Sequence, residues 1–66
     1  MNATAMKKFV DGRAISVSVM APMLGMSRYS LYKKIEGKSE FKVSEMRKFI
    51  ELTRMTDEEV QEIFFG

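Results

Sequence analysis

The chain contains no cysteine, no histidine and no tryptophan, and a single proline. The first two absences remove disulfides, thiolate nucleophiles, finger-type structural zinc and imidazole catalysis together. No uninterrupted apolar stretch approaches the roughly 20 residues needed to span a bilayer. The opening Met1-Asn2-Ala3-Thr4-Ala5 has neither the charged segment nor the apolar stretch of a secretory signal, so a cytoplasmic location is expected, with no membrane partner. There is no paired-acid site, no nucleophile–base constellation and no glycine-rich phosphate loop, so neither an enzyme nor a cofactor, metal or small-molecule site is expected.

What is present fits one small helical unit. Sixty-six residues, 45% of them hydrophobic, suffice for a single core and leave no room for a second lobe, so any function sits on a surface. The four glycines are scattered as punctuation. Net charge is only +2, but it is unevenly spread. From Arg28 to Lys48, seven bases stand against three acids; from Glu51 to Gly66, Arg54 alone faces Glu51, Asp57, Glu58, Glu59 and Glu62. A basic middle and an acidic end would let the middle face a polyanion.

Apolar residues recur at three- and four-residue intervals almost throughout, which predicts five helices. Met6, Phe9, Val10 and Ala14 mark the inner face of the first, which weakens at Gly12. Ser16 caps a second that runs to about Leu24, burying Met20, Ala21 and either Met23 or Leu24. The alternation Ile15-Ser16-Val17-Ser18-Val19 is the one stretch that reads equally as a strand. Pro22 falls inside the second helix, where it removes a backbone donor; the expected outcome is a kink, or a start delayed to about Val19. Ser27 caps a third helix from Arg28 to about Glu36, with Leu31 and Ile35 inward, and Gly37 ends it. Phe41 anchors the loop that follows, and Val43, Met46, Phe49 and Ile50 form the inner face of the fourth helix. Thr56-Asp57-Glu58-Glu59 is a capping box that opens the fifth, in which Val60, Ile63 and Phe64 are buried.

The segment with a mechanism attached is the corner Leu24-Gly25-Met26-Ser27. Gly25 supplies the positive φ that ends one helix, Met26 plugs the corner and Ser27 starts the next helix at once. In a helix-turn-helix of this kind the second helix enters the DNA major groove N-terminus first. The exposed residues after Ser27 are then the readers: Arg28 for guanine O6 and N7, Tyr29 for a thymine methyl or a phosphate, and Lys33 for guanine or a backbone oxygen. Ser30 and Tyr32 belong to the same exposed set. For the two tyrosines the alternative is partial burial against neighbouring helices; for Lys33 and Lys34 it is a solvated face.

The stretch Ser16–Phe65 resembles the xenobiotic-response-element family of helix-turn-helix proteins, the Cro and phage-repressor type. The resemblance rests on Met20-Ala21, Leu24-Gly25-Met26-Ser27-Arg28, Leu31, Lys34-Ile35 with Gly37-Lys38, Phe41, Val43-Ser44-Glu45-Met46 and Glu59-Val60-Gln61-Glu62-Ile63-Phe64-Phe65. It implies an all-α, lambda-repressor-like five-helix domain spanning residues 1–66, with the helix-turn-helix made by helices 2 and 3. It also implies a transcriptional regulator, typically a repressor, of phage or mobile-element type that binds double-stranded DNA at a palindromic operator, as a homodimer formed in solution or only on the DNA. On this sequence the family's base-reading positions fall on Arg28, Tyr29 and Lys33. Its phosphate contacts fall on Ser16, Lys38 and Lys42, and Ser27 and Ser30 at the head of the reading helix are further candidates for phosphate contact. Val17 and Glu36 occupy two further phosphate positions with side chains that cannot serve them, one apolar and one anionic. Adjacent Phe64 and Phe65 cannot easily both point inward, which makes them the candidate dimer contacts. The competing expectation is a protein-interaction module of the same fold that does not bind DNA, motivated by Val17, Pro22, Glu36 and seven methionines.

Overall fold

In the computed structural model, which describes residues 1–66, five helices follow one another without a strand: α1 (Ala3–Gly12), α2 (Val17–Met23), α3 (Arg28–Ile35), α4 (Val43–Thr53) and α5 (Asp57–Phe64). The Cα radius of gyration is 10.5 Å, close to the roughly 10.8 Å of a compact chain of this length. The Ile15–Val19 alternation resolves as helix because Val17 has a core to enter: it is buried together with Met20 and Ala21.

Each helix start has a local cause. Asn2, Ser16, Ser27 and Thr56 are N-caps whose side-chain oxygens accept from Ala5, Val19, Ser30 and Glu59 N–H respectively. Thr56 and Glu59 form the reciprocal box expected of them, with Glu59 Oε1 accepting from Thr56 N–H at 2.9 Å. At α4 only half of such a box is possible, because Lys42 has no acceptor: Glu45 Oε1 accepts from Lys42 N–H at 2.8 Å.

The helix ends repeat one motif. After α2, Gly25 N–H donates to Pro22 O and Met26 N–H to Ala21 O, with Gly25 at φ +72°. After α3, Gly37 and Lys38 donate to Lys34 O and Lys33 O, with Gly37 at φ +78°. Both are Schellman closures on a glycine. After α1 the left-handed residue is Ala14, at φ +51°, and not Gly12, which stays helical. Ala14 is therefore exposed beyond the helix end, a correction to its expected place on the inner face. Arg54 plays the same part after α4, at φ +54°.

Pro22 is accommodated without delaying the helix: α2 starts at Val17 and continues through Pro22 to Met23. The omitted bond is the one to the Ser18 carbonyl, and Ser18 is exposed to solvent; the bond from Leu24 N–H to Met20 O, two residues on, is made at 3.2 Å. Of Met23 and Leu24, Leu24 turns toward the core and Met23 is half exposed.

The core gathers Met6, Phe9 and Val10 of α1, Val17, Met20 and Ala21 of α2, Leu31 and Ile35 of α3, Phe49 of α4, Met55, and Ile63 of α5. Phe49 is its centre, fully buried, with ring centroids of Phe41 at 5.5 Å and of Phe9 and Phe64 at 6.3 Å. Val43, expected on the inner face of α4, is instead exposed at the first turn, and Phe41 from the preceding loop covers Phe49. The ends of the chain are joined, Asn2 N–H donating to Ile63 O at 2.7 Å. Arg13 ties the remaining corner: its guanidinium lies 4.9 Å from the Phe9 ring centroid, donates to Thr53 O at 2.9 Å and pairs with the Glu59 carboxylate. The result is a frame against which α2 packs on α3 and α1 rests on both α3 and α5.

Candidate nucleic-acid interface

The orientation of α3 follows from two buried residues. Leu31 and Ile35, four apart, are buried to within 4% of completion and lock the inner face. Positions 28, 29, 32 and 33 must then look outward, and they do: Tyr29 is 71% and Tyr32 48% exposed, Arg28 is exposed and Lys33 is half-buried. They form two neighbouring pairs at a spacing of four, Arg28 with Tyr32 and Tyr29 with Lys33. The Lys33 ammonium stands 5.5 Å from the Tyr29 ring centroid, within cation–π range. None of these four side chains takes part in the chain's own hydrogen bonds or ion pairs.

Lys34, next in sequence, behaves differently. Its ammonium donates to Glu45 Oε1 at 2.7 Å and to Glu40 O at 3.1 Å, and both side chains of the pair are largely shielded. It fastens α3 to the start of α4. The hydrogen bond from Lys34 holds the Glu45 carboxyl below the usual carboxylate range, with help from Lys42 N–H and against the opposing effect of burial. Nothing in the local pattern distinguished Lys34 from Lys33; the difference is which side of α3 meets α4.

The expected phosphate contacts lie around this face. Ser16 is exposed at the head of α2, where its oxygen accepts from Val19 N–H at 3.3 Å. Ser27 accepts from Ser30 N–H at 3.1 Å while its hydroxyl meets Ser30 Oγ at 3.0 Å, so these two hydroxyls are joined to each other. Lys38 and Lys42 are exposed in the loop after α3; Lys38 has only a loose pairing with Glu36, at 3.9 Å. Val17, one of the two misfit positions, is in the core.

Charge reinforces the distinction between the two ends of the chain. From Gly12 to Ile35 there is no acidic residue at all, and the first turns of α2 and α3 carry none. The first turn of α4 holds Glu45 and that of α5 holds Asp57, Glu58 and Glu59. The positive ends of the last two helix dipoles thus have acidic side chains beside them, whereas those of α1, α2 and α3 do not. None of the three surface recesses is lined by Arg28, Tyr29, Tyr32 or Lys33.

The two terminal phenylalanines separate. Phe64 is half-buried, edge-on to Phe41 at 5.5 Å and to Phe49 at 6.3 Å, whereas Phe65 is 64% exposed. No group of three or more acidic, histidine or cysteine side chains is placed to hold a metal ion, and no helix is long and apolar enough to cross a membrane. No protein-family model matches the chain, and no match to it is found among curated proteins or solved structures.

Proposed function

We propose that the chain is a sequence-specific double-stranded-DNA-binding regulator, a helix-turn-helix domain of the lambda-repressor-like type in which α2 and α3 form the motif and α3 lies in the major groove. The observation that carries this reading is the outward face of α3: Arg28, Tyr29, Tyr32 and Lys33, basic and aromatic, uncommitted within the chain, beginning immediately after a capped N-terminus. A helix about 10–12 Å across fits a groove of about 12 Å. Arg28 is the principal base reader, bidentate to guanine, with Tyr29 and Lys33 completing the set. Ser16, Lys38 and Lys42 hold the backbone, with Ser27 and Ser30 at the head of α3.

The small net charge sets a quantitative expectation. If Lys38 and Lys42 each neutralise a phosphate, the slope of log K against log salt is about −1.8 for one bound copy and twice that for two. Selection of bound sites from random duplexes, followed by fluorescence-anisotropy titration at rising salt, tests this directly. Absence of binding, or binding indifferent to salt, would refute the reading. Regulation would then follow from occlusion of a promoter or recruitment to it. On a palindromic site two copies stand about one helical turn, roughly 34 Å, apart, and Phe65 is the residue free to join them. Light scattering with and without the selected duplex distinguishes a preformed dimer from one assembled on DNA.

One observation favours a second reading, a protein-interaction module. The outer face of α2 exposes Val19 (64%) and Met23 (50%) at a spacing of four, with Pro22 exposed between them. The double change Arg28→Ala, Lys33→Ala separates the two: a cellular phenotype that survives it is not due to DNA reading by α3.

A further inference from the structure

Resting on the DNA-binding reading, the inventory of side chains on α3 narrows what kind of sequence can be read. Adenine is recognised in the major groove chiefly by the amide of Asn or Gln, which donates to N7 and accepts from the N6 amino group at once. This chain has one Asn and one Gln, and neither is near α3: Asn2 caps α1, and Gln61 lies in α5. Cytosine is read by a carboxylate accepting from N4, and α3 carries no acid. The Ser27 hydroxyl donates to Ser30 Oγ, which leaves the Ser30 O–H as a donor for the backbone contact proposed above.

What remains on the face is two cations and two phenol rings. Cations donate only, which suits the O6 and N7 acceptors of guanine. Tyr29 and Tyr32, three apart and both substantially exposed, offer apolar ring surface, the complement of the one apolar group in the groove, the thymine C5-methyl. The Lys33 ammonium over the Tyr29 ring restrains that ring before any DNA arrives. We infer that the half-site is read as guanine acceptor edges plus a thymine methyl seated on the Tyr29–Tyr32 pair, with adenine amino groups unread.

Base analogues that preserve pairing test this on the selected duplex, one position at a time. Deoxyuridine removes the thymine methyl, 7-deazaguanine the guanine N7, and 2-aminopurine, which still pairs with thymine, the adenine N6 amino group. The expected result is a loss at one or more guanines within the range of about 5- to 150-fold set by a good bidentate contact, a smaller loss at one or more thymines, and none at adenines. The deoxyuridine penalty should persist in Tyr29→Phe and vanish in the Tyr29→Ala, Tyr32→Ala double variant, whose helical circular dichroism should be intact because neither ring belongs to the core.

Deoxyuridine without effect at every thymine, a penalty that survives the double variant, or 2-aminopurine at an adenine as costly as 7-deazaguanine would each overturn the inference while leaving DNA binding in place. A chain that binds no duplex in a salt-dependent way overturns the DNA reading itself, and this inference with it.

Discussion

Exchanging the residue types at positions 12 and 14 should make the domain more stable, although it moves a glycine that looks like a helix stop. Ala14 sits at φ +51° and closes α1, its N–H donating to Asp11 O at 3.1 Å and that of Ile15 to Val10 O at 3.0 Å. A left-handed L-residue costs roughly 1–2 kcal/mol. Glycine there removes that cost but adds roughly 0.4–1 kcal/mol of unfolded-state freedom, leaving a net gain of about 0.5–1 kcal/mol for Ala14→Gly. Gly12 is helical, and a Cβ built on it meets nothing within 4 Å. Gly12→Ala should therefore gain about 0.5–1 kcal/mol from helix propensity. With both changes the expected gain is about 1–2 kcal/mol, at roughly 4–8 °C in Tm for each kcal/mol. Thermal circular dichroism and urea titration with an unchanged m-value measure it. Were Gly12→Ala to lower the midpoint, and Ala14→Gly with it, α1 would end on Gly12 and the assignment of the left-handed position would be wrong. Neither change touches the outer face of α3, so DNA affinity serves as the control.

Three further outcomes are expected. Gly25→Ala should cost about 0.5–1 kcal/mol, the left-handed penalty less the unfolded-state gain, since nothing crowds it, whereas Gly37→Ala should cost more because its Cβ would lie 3.2 Å from Ala3 Cβ; equal losses in denaturant titrations would contradict that contact. Glu45 is held below the ordinary value of 4.5 foremost by the Lys34 hydrogen bond, and Glu59 foremost by Thr56 N–H. A lowered folded-state pKa stabilises fully above the unfolded value and is lost as pH falls through the folded one, so stability should be level above about pH 5 and fall below it. Glu45→Gln should flatten part of that fall, and a wild-type chain with no acid-side loss would refute the assignment. Lys38→Ala and Lys42→Ala should each reduce the salt slope of DNA binding by about 1 without changing sequence preference, whereas Arg28→Ala should relax preference at one base pair; competition titrations at several salt concentrations separate the two behaviours.

Much of this domain is written in short-range pattern. The caps at Ser16, Ser27 and Thr56, the glycine closures at Gly25 and Gly37, and the inward pairing of Leu31 with Ile35 each depend on residues within a few positions of one another. The outward face of α3 follows from that last pair by helical geometry alone, which is why Arg28, Tyr29 and Lys33 could be singled out before any coordinates.

Other features had no local signature. Lys33 and Lys34 are chemically identical neighbours, yet one lies over Tyr29 on the outer face and the other is tied to Glu45; only the placement of α4 separates them. Val43 had the spacing of a core residue and is exposed, because Phe41 reaches Phe49 first. Ala14 takes a conformation that glycine would favour, since the chain must turn there for Ile15 and Val17 to meet the core. Pro22 read as a fault in α2 and is absorbed where the helix faces solvent. The sequence by itself determined the capped starts of α2, α3 and α5, the glycine stops after α2 and α3, and which face of α3 looks outward, because capping and helical periodicity act over three or four residues. The tertiary structure alone decided which cation is free, which phenylalanine is exposed and which turn is strained, because those depend on helices far apart in sequence competing for one small core.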